Sequence, residues 1–401
     1  MIERKKTLEV NVSWVKIGWN NPIVIQSMTN TPTADVDATV KQIQELANAW
    51  SELVRITVDN EQSAQAVPEI IKWLKQIWID VPIIWDFHFN WHILLEKFPE
   101  MAKWLAKYRV NPGNVGTGDK HDDNFQKFIQ FAIKYAKPIR IWINGWSLDK
   151  QLLKYNMEKN NKLPKPLSDK EVFIDSLVQS CLLSVQKAEE FWLPKNKIVL
   201  SIKISDVQDV IQATEKLSSK TDCPIHVWLT EAGGSTKGLI ASAAALGILL
   251  QEGIGDTIRI SITPEPWIPR ELEVTACKYL LQSMGFRDFQ PMVTSCPGCG
   301  RTSSDKFQIL AKQVCDEINL RMPMRKNKYK WFEKTKIAVM WCIVNGVGEA
   351  SNADVWIFFP GNMENPRIPV YVKGKMYKVL DSENVFENFM EIIEQYFKKE
   401  I

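Results

Sequence analysis

Apolar residues recur along the first two thirds of the chain in two alternating rhythms. Short β-branched runs occupy residues 23–26, 53–57, 82–87, 108–111, 139–144, 198–203, 225–230 and 257–261. Between them lie longer segments, such as 35–49, 61–77, 171–191 and 237–251, where apolar residues return every three or four positions. That period marks a helix with one buried face. Strand then helix, eight times over, predicts an α/β fold with an N-terminal (β/α)8 TIM-type barrel of ~250 residues. One long interval, residues 148–168, carries NNKLPKP at 160–166 and reads as a surface loop. After TPEP at 263–266 the pattern changes to a smaller α+β unit. The expected domains are therefore 1–266 and 267–401.

Composition narrows the function. With 50 Lys+Arg against 47 Asp+Glu, the 401 residues carry a net charge of only +3, so no global field draws the chain to nucleic acid or an anionic membrane. Any anion site has to be local. The first residues lack the apolar core of a signal peptide, and the longest mostly apolar stretch, 238–250, is too short to span a bilayer. A cytoplasmic protein is expected. Seven cysteines in so long a chain favour thiols or metal ligands over a disulfide framework. Gly is scarce at 18 residues, below the roughly 7% typical of globular chains, whereas Trp is abundant at 16, twice the count of Tyr.

Polar residues gather where barrel chemistry belongs, at or just beyond the C-terminal ends of the strands. They are Arg55, Asp86, His88, Arg109, Asn111, Arg140, Asn144, Lys203, Glu231, Arg259 and Ser261. Taken singly, each Arg is an ordinary solvated charge. Five cations on one face make an anion pocket, because guanidinium forks match phosphate oxygens in pairs; a diphosphate suits it. His226 alone carries little weight, since a lone strand histidine is usually structural.

The sharpest local signal is Cys296-Pro297-Gly298-Cys299, followed by a third thiol, Cys342, in a run that enters a Gly-rich turn and reaches Glu349. Cys181, Cys223, Cys277 and Cys315 have no partner spacing and read as buried, inert thiols. A structural zinc site wants four closed Cys or His ligands, and no His follows residue 226. Three thiolates and a carboxylate suit an iron-sulfur cluster with one exchangeable position. A non-catalytic iron-sulfur carrier or sensor, and a zinc-containing barrel enzyme acting on a sugar phosphate, remain the alternatives.

The motifs PIVIQSMTN (22–30), ELVRI (52–56), DFH (86–88), YRVNPGN (108–114), TEAG (230–233), GIGDTIR (253–259), TSCPGCGR (294–301) and CIVNG (342–346) together resemble the 4-hydroxy-3-methylbut-2-enyl diphosphate synthase family of the methylerythritol phosphate route, over nearly the whole chain. The resemblance implies reductive ring opening of 2-C-methyl-D-erythritol 2,4-cyclodiphosphate with electrons from ferredoxin or flavodoxin. It implies a 4Fe-4S cluster held by Cys296, Cys299, Cys342 and Glu349, and a homodimer in which each cluster caps the partner's barrel. Carried over residue by residue, Arg55, Arg109, Arg140, Lys203 and Arg259 bind the diphosphate. His88, Asn144, Ser261 and Asn345 complete the pocket, with Asp86 beside His88, and Glu231 is the candidate proton donor. Val347 departs from the proline usual there. Trp19, Trp78, Trp85, Trp142, Trp228, Trp341 and Trp356 stand where the family typically carries Gly, and Trp50, Trp146, Trp192, Trp267 and Trp331 follow the same trend. The expectation is that these are glycines, encoded by UGA in a source that decodes UGA as glycine. A degenerate paralogue would have lost ligands as well, and none is lost.

Overall fold

The computed structural model describes residues 2–86, 91–114, 119–325, 331–361, 364 and 367–401. It divides into two compact units, Met1–Arg287 and Asp288–Ile401.

The first unit opens with an antiparallel hairpin, β1 (Val10–Val12) and β2 (Val15–Ile17). Eight parallel strands follow: β3 (Val24–Met28), β4 (Leu53–Thr57), β5 (Ile83–Asp86), β6 (Lys107–Val110), β7 (Ile139–Asn144), β8 (Ile198–Lys203), β9 (His226–Trp228) and β10 (Thr257–Arg259). Their order, β8-β7-β6-β5-β4-β3-β10-β9, is nearly a closed ring, and an isolated parallel bridge between Leu200 and Ile225 joins its two ends. This is the barrel that the alternating rhythms predict. Its helices obey local rules. In α1 (Val36–Asn48) Asp35 caps the start, and Thr39, Val40, Ile43 and Leu46 form the buried face. Asn60 caps α2 (Glu61–Gln76). The helices α3 (Trp91–Lys97), α4 (Pro99–Trp104) and α5 (Asp119–Lys134) follow.

Two findings differ from the sequence expectation. Within the interval expected to be a loop, residues 150–160 form α6 (Lys150–Asn160). Asp149 caps it, and Asn160 closes the segment behind it by pairing with the backbone of Leu167 through both side-chain atoms. The capping box of Ser168 and Glu171 then starts α7 (Asp169–Glu190), and α8 (Val207–Ser218) and α9 (Ser235–Gln251) continue the outer layer. The unit also runs past residue 266. α10 (Leu272–Ser283) belongs to the barrel, because Glu273 pairs with Arg259 and accepts from the Ile262 amide, while the Cys277 sulfur accepts from the Ile260 amide.

The hairpin, absent from the sequence reading, closes the N-terminal end of the barrel. Val10, Val12 and Ile17 pack with Val24, Leu53, Ile84, Ala106 and Val199 in one buried apolar cluster. Alternate residues of a strand share a face, so the positions two further along, Gln26, Arg55, Asp86 and Ser201, stand above this floor inside the barrel.

The second unit is a mixed five-stranded sheet in the order β11 (Met292–Ser295), β12 (Lys336–Trp341), β13 (Val355–Phe359), β14 (Ile368–Val372) and β15 (Lys375–Leu380). The first three strands are parallel and the last two antiparallel. The helices α11 (Lys306–Arg325) and α12 (Val385–Phe397) accompany it. No described helix is long and apolar enough to cross a membrane.

Candidate active site

A cavity of about 460 Å³ opens at the C-terminal ends of the barrel strands, lined by Arg55, Asp86, Arg109, Trp142, Lys203, Trp228, Thr230, Glu231, Ala232, Ser261, Ile262 and Thr263. Six of the residues singled out from sequence therefore meet in one cup. Asp86 bridges two cations: Arg109 Nη1 donates to its Oδ1, and Arg55 Nε lies 3.5 Å from its Oδ2. Arg55 also donates to the Met28 sulfur at 2.9 and 3.1 Å. Burial pulls Arg55 and Arg109 below the ordinary guanidinium value, and Asp86 works against that shift.

Arg140 lies below the cup. It is 1% exposed, and none of its three guanidinium nitrogens has a hydrogen-bond partner among the described residues. Lys107 Nζ, His226 Nε2, Ser201 Oγ and both side-chain atoms of Gln26 are likewise buried without partners. Leaving a buried polar group unpaired costs about 1–3 kcal/mol, and more for a charge. Burial is the chief cause that lowers Arg140, Lys107 and His226 well below their ordinary values, followed by the neighbouring cations. Such a layer is built to receive negative charge or water. Sequence reasoning missed Lys107, although its place two residues before Arg109 on one strand face signals it.

At the rim, Lys203 Nζ donates to Glu231 at 2.6 Å, and Ser205 and Thr230 hydroxyls donate to the same carboxylate at 2.6 and 3.0 Å. Partial burial raises the Glu231 pKa, but these three donors outweigh it and hold the carboxyl below its ordinary value. Its φ of 53° is left-handed, a strained conformation that concentrates at functional positions. Arg259 is buried against Glu273 at 3.3 Å, and Arg270 is 3.1 Å from the same carboxylate. Asn144 is not among the residues lining the cavity: its Oδ1 accepts from the Ser147 amide and hydroxyl at 3.1 and 2.5 Å and from Asn111 at 3.3 Å. His88 lies outside the described residues.

Two aromatic side chains crowd the cup. Trp142 stacks under Arg109, whose guanidinium carbon is 3.9 Å from the ring centre, and Trp228 lies 5.6 to 5.7 Å from Arg55, Arg109 and Arg140. Both are under 10% exposed, and both indole N–H groups are buried without a partner among the described residues.

The remaining sequence candidates belong to the second unit. β11 and β12 run parallel, with Ser295 beside Val339, so Cys296 and Cys342 emerge from neighbouring strand ends. The Trp341 amide donates to Cys296 Sγ at 3.3 Å. Cys296 and Cys342 are buried and Cys299 is exposed, all as free thiols. Hydrogen bonds from the Arg301 backbone and side chain hold the Cys299 thiol below its ordinary value, and the Cys342 thiol lies close enough to act on Arg301 as well. Cys342 has a left-handed φ of 62°. Gly361 passes it so closely that an added Cβ would sit 2.9 Å from the Cys342 Cβ. The sequence reading also passed over Glu364, which accepts from the amides of Ile343 and Gly361 at 3.1 and 2.8 Å. Asn345 is half-buried, and Glu349 is exposed on a short 3-10 turn. Among the described residues no three His, Cys, Asp or Glu side chains stand close enough to hold a metal ion. The donors themselves suit iron: soft thiols at adjacent strand ends, with a cation and backbone amides beside them. Of the four other cysteines, Cys181, Cys223 and Cys277 are buried, with burial raising their thiols, and Cys315 is partly exposed rather than buried.

A cup lined by cations at the C-terminal mouth of a parallel barrel defines a barrel protein with a small-molecule cavity at its strand ends. Residues 7–278 match the family model of the GcpE TIM-barrel domain, and residues 292–395 match that of the GcpE protein C-terminal domain. The chain belongs to the GcpE family, the 4-hydroxy-3-methylbut-2-enyl diphosphate synthases of the methylerythritol phosphate pathway, a family of oxidoreductases. Among solved structures, the chain is similar to 7,8-dihydropteroate synthase from Vibrio fischeri, at 14% identity and a TM-score of 0.47, covering 69% of this chain and 98% of that one. It is also similar to N-acetylneuraminic acid synthetase from Leptospira borgpetersenii, at 13% identity and a TM-score of 0.41, covering 77% and 98%.

Proposed function

We propose that this protein opens the ring of 2-C-methyl-D-erythritol 2,4-cyclodiphosphate reductively, giving 4-hydroxy-3-methylbut-2-enyl diphosphate and water in isoprenoid biosynthesis. The observation that carries the reading is Arg140, a buried guanidinium with no partner among the described residues, beneath a cup whose other cations each pair with one carboxylate. A diphosphate supplies the missing negative charge. Arg55, Arg109, Arg140, Lys203 and Arg259 bind its oxygens, and Ser261 stands on the wall of the same cavity. Asp86 keeps Arg55 and Arg109 oriented toward it. His88, Asn144 and Asn345 complete the substrate's surroundings in this proposal. Glu231, whose carboxylate is held ionised on the rim by Lys203 and two hydroxyls, would act as a relay in this proposal, taking a proton from Lys203 or solvent and passing it to the departing C3 hydroxyl, which leaves as water.

Cys296, Cys299, Cys342 and Glu349 would hold a 4Fe-4S cluster, which supplies the two electrons singly and a Lewis-acid iron for the C–O bond. Ferredoxin or flavodoxin as donor, a homodimer and a cytoplasmic setting belong to the same reading. The test is calorimetric titration of the cyclodiphosphate into the protein and its Arg140→Met variant. Loss of a charged hydrogen-bonding group predicts weakening by about tenfold or more. Equal affinities would remove the assignment.

A further inference from the structure

Three tryptophans occupy backbone that belongs to glycine. Trp50, Trp78 and Trp192 have φ of 85°, 59° and 73°, and each is the residue just after a helix C-cap. Each closes the helix by the same pair of bonds. Trp50 N donates to Ala47 O and Ser51 N to Leu46 O; Trp78 N to Lys75 O and Ile79 N to Leu74 O; Trp192 N to Glu189 O and Leu193 N to Ala188 O. This Schellman arrangement wants a left-handed residue at that position, usually Gly. Gly253 and Gly285 fill it elsewhere in the barrel unit, with φ of 77° and 73°. At 78 and 192 tryptophan gains little burial, since Trp78 and Trp192 are 92% and 88% exposed. Trp142, Trp228 and Trp356 show the opposite misfit, buried with an indole N–H that finds no partner among the described residues.

One cause accounts for both sets. We infer that positions 50, 78, 142, 192 and 228 are glycine in the protein as its source makes it, encoded by UGA, and that the substrate cup consequently extends down to Lys107, Arg140 and His226. A one-base kinship between UGA and the tryptophan codon UGG explains why the two residues trade places, and it agrees with 18 Gly beside 16 Trp. Inside the barrel the exchange has a chemical result. Trp142 and Trp228 line the cup, Arg140 and Lys107 do not, and the Trp228 ring sits 5.9 Å from that of His226. Without the two indoles, Lys107 and His226 join Arg140 as the floor of the anion site. This second part rests on the proposed function; the first rests on backbone geometry at 50, 78 and 192 and on the orphaned indole N–H groups at 142 and 228.

The codons and peptide masses of the protein from its native source test the first part. UGA codons and glycine masses at 50, 78, 142, 192 and 228 are expected, and UGG with tryptophan masses at these positions overturns it. For the second part, inorganic diphosphate is titrated into the chain as written and into the chain with Trp142→Gly and Trp228→Gly. Opening the floor predicts binding tighter by roughly tenfold or more, and adding Lys107→Met to the glycine chain should take that gain away while Lys107→Arg retains it. Melting curves show that each variant is folded. Affinities that ignore both the two glycines and Lys107 overturn the extended cup. If the glycine chain then turns over cyclodiphosphate, the proposed function stands without the extended floor; if diphosphate binds as expected and no turnover follows, the floor stands without that function.

Discussion

Asp86 shows what a single residue contributes to the cup. Asp86→Asn leaves Arg55 and Arg109 buried beside a neutral amide, and breaking a buried pair from one side costs about 3–5 kcal/mol. Urea denaturation should show a loss of that size, and inorganic diphosphate should recover part of it by binding only the folded state. A variant as stable as the parent would mean that the pair is energetically idle. His226 gives a pH signature of its own. Its folded pKa lies well below the ordinary value through burial and the nearby Arg140, Lys107, Arg55 and Arg259, so the unfolded chain takes up the extra proton. Stability from this group is intact above about pH 6.5 and falls as the pH drops below that value, by up to about 1.4 kcal/mol per unit. Comparing urea stability at pH 7.5 and 5.5, His226→Gln should lose less than the parent; equal losses would contradict the assignment. Arg55, Arg109, Lys203 and Glu231 were legible in the sequence because strand ends can be read from β-branched runs, and chemistry sits at those ends. Lys107 and Gln26 were not, because nothing in a linear pattern says that a position deep in a barrel finds no partner among the described residues.

At the scale of elements, the strands and the long helices follow from periodicity to within a few residues. α6 escaped because its inward face is mostly Leu152, Leu153 and Met157, all only partly buried, and is finished by Asn156 and Asn160, so polar residues occupy helical positions that normally announce themselves as apolar. Asn156 earns that place through bonds to Ser176 and Gln179 at 2.9 and 2.8 Å. Helix ends give the sharper prediction. A left-handed conformation costs a residue with a Cβ roughly 1–2 kcal/mol, and Trp78 and Trp192 recover little of it by burial. Trp78→Gly and Trp192→Gly should each stabilise the chain by about 1 kcal/mol, read from denaturation midpoints at constant slope. Destabilisation by either would mean that the exposed indole contributes packing.

For the whole molecule, the unit boundary at residue 287 has a physical basis in α10. A fragment of residues 1–287 keeps Glu273 against Arg259, whereas residues 1–266 leave that guanidinium buried and unanswered. The longer fragment should unfold cooperatively, and the shorter one should be protease-sensitive with weak near-ultraviolet dichroism. Equal cooperativity of the two would place the boundary where the change of pattern after residue 266 suggested. That change reflects the irregular stretch after β10; strand and helix alternate once more, because α10 still covers the barrel. The central claim is tested most directly by product formation, with the glycine-restored chain reconstituted anaerobically with iron and sulfide and given cyclodiphosphate and reduced viologen. Linear allylic diphosphate should accumulate, and Arg140→Met should remove most of it. A folded, iron-loaded protein that leaves the cyclic substrate intact would contradict the account.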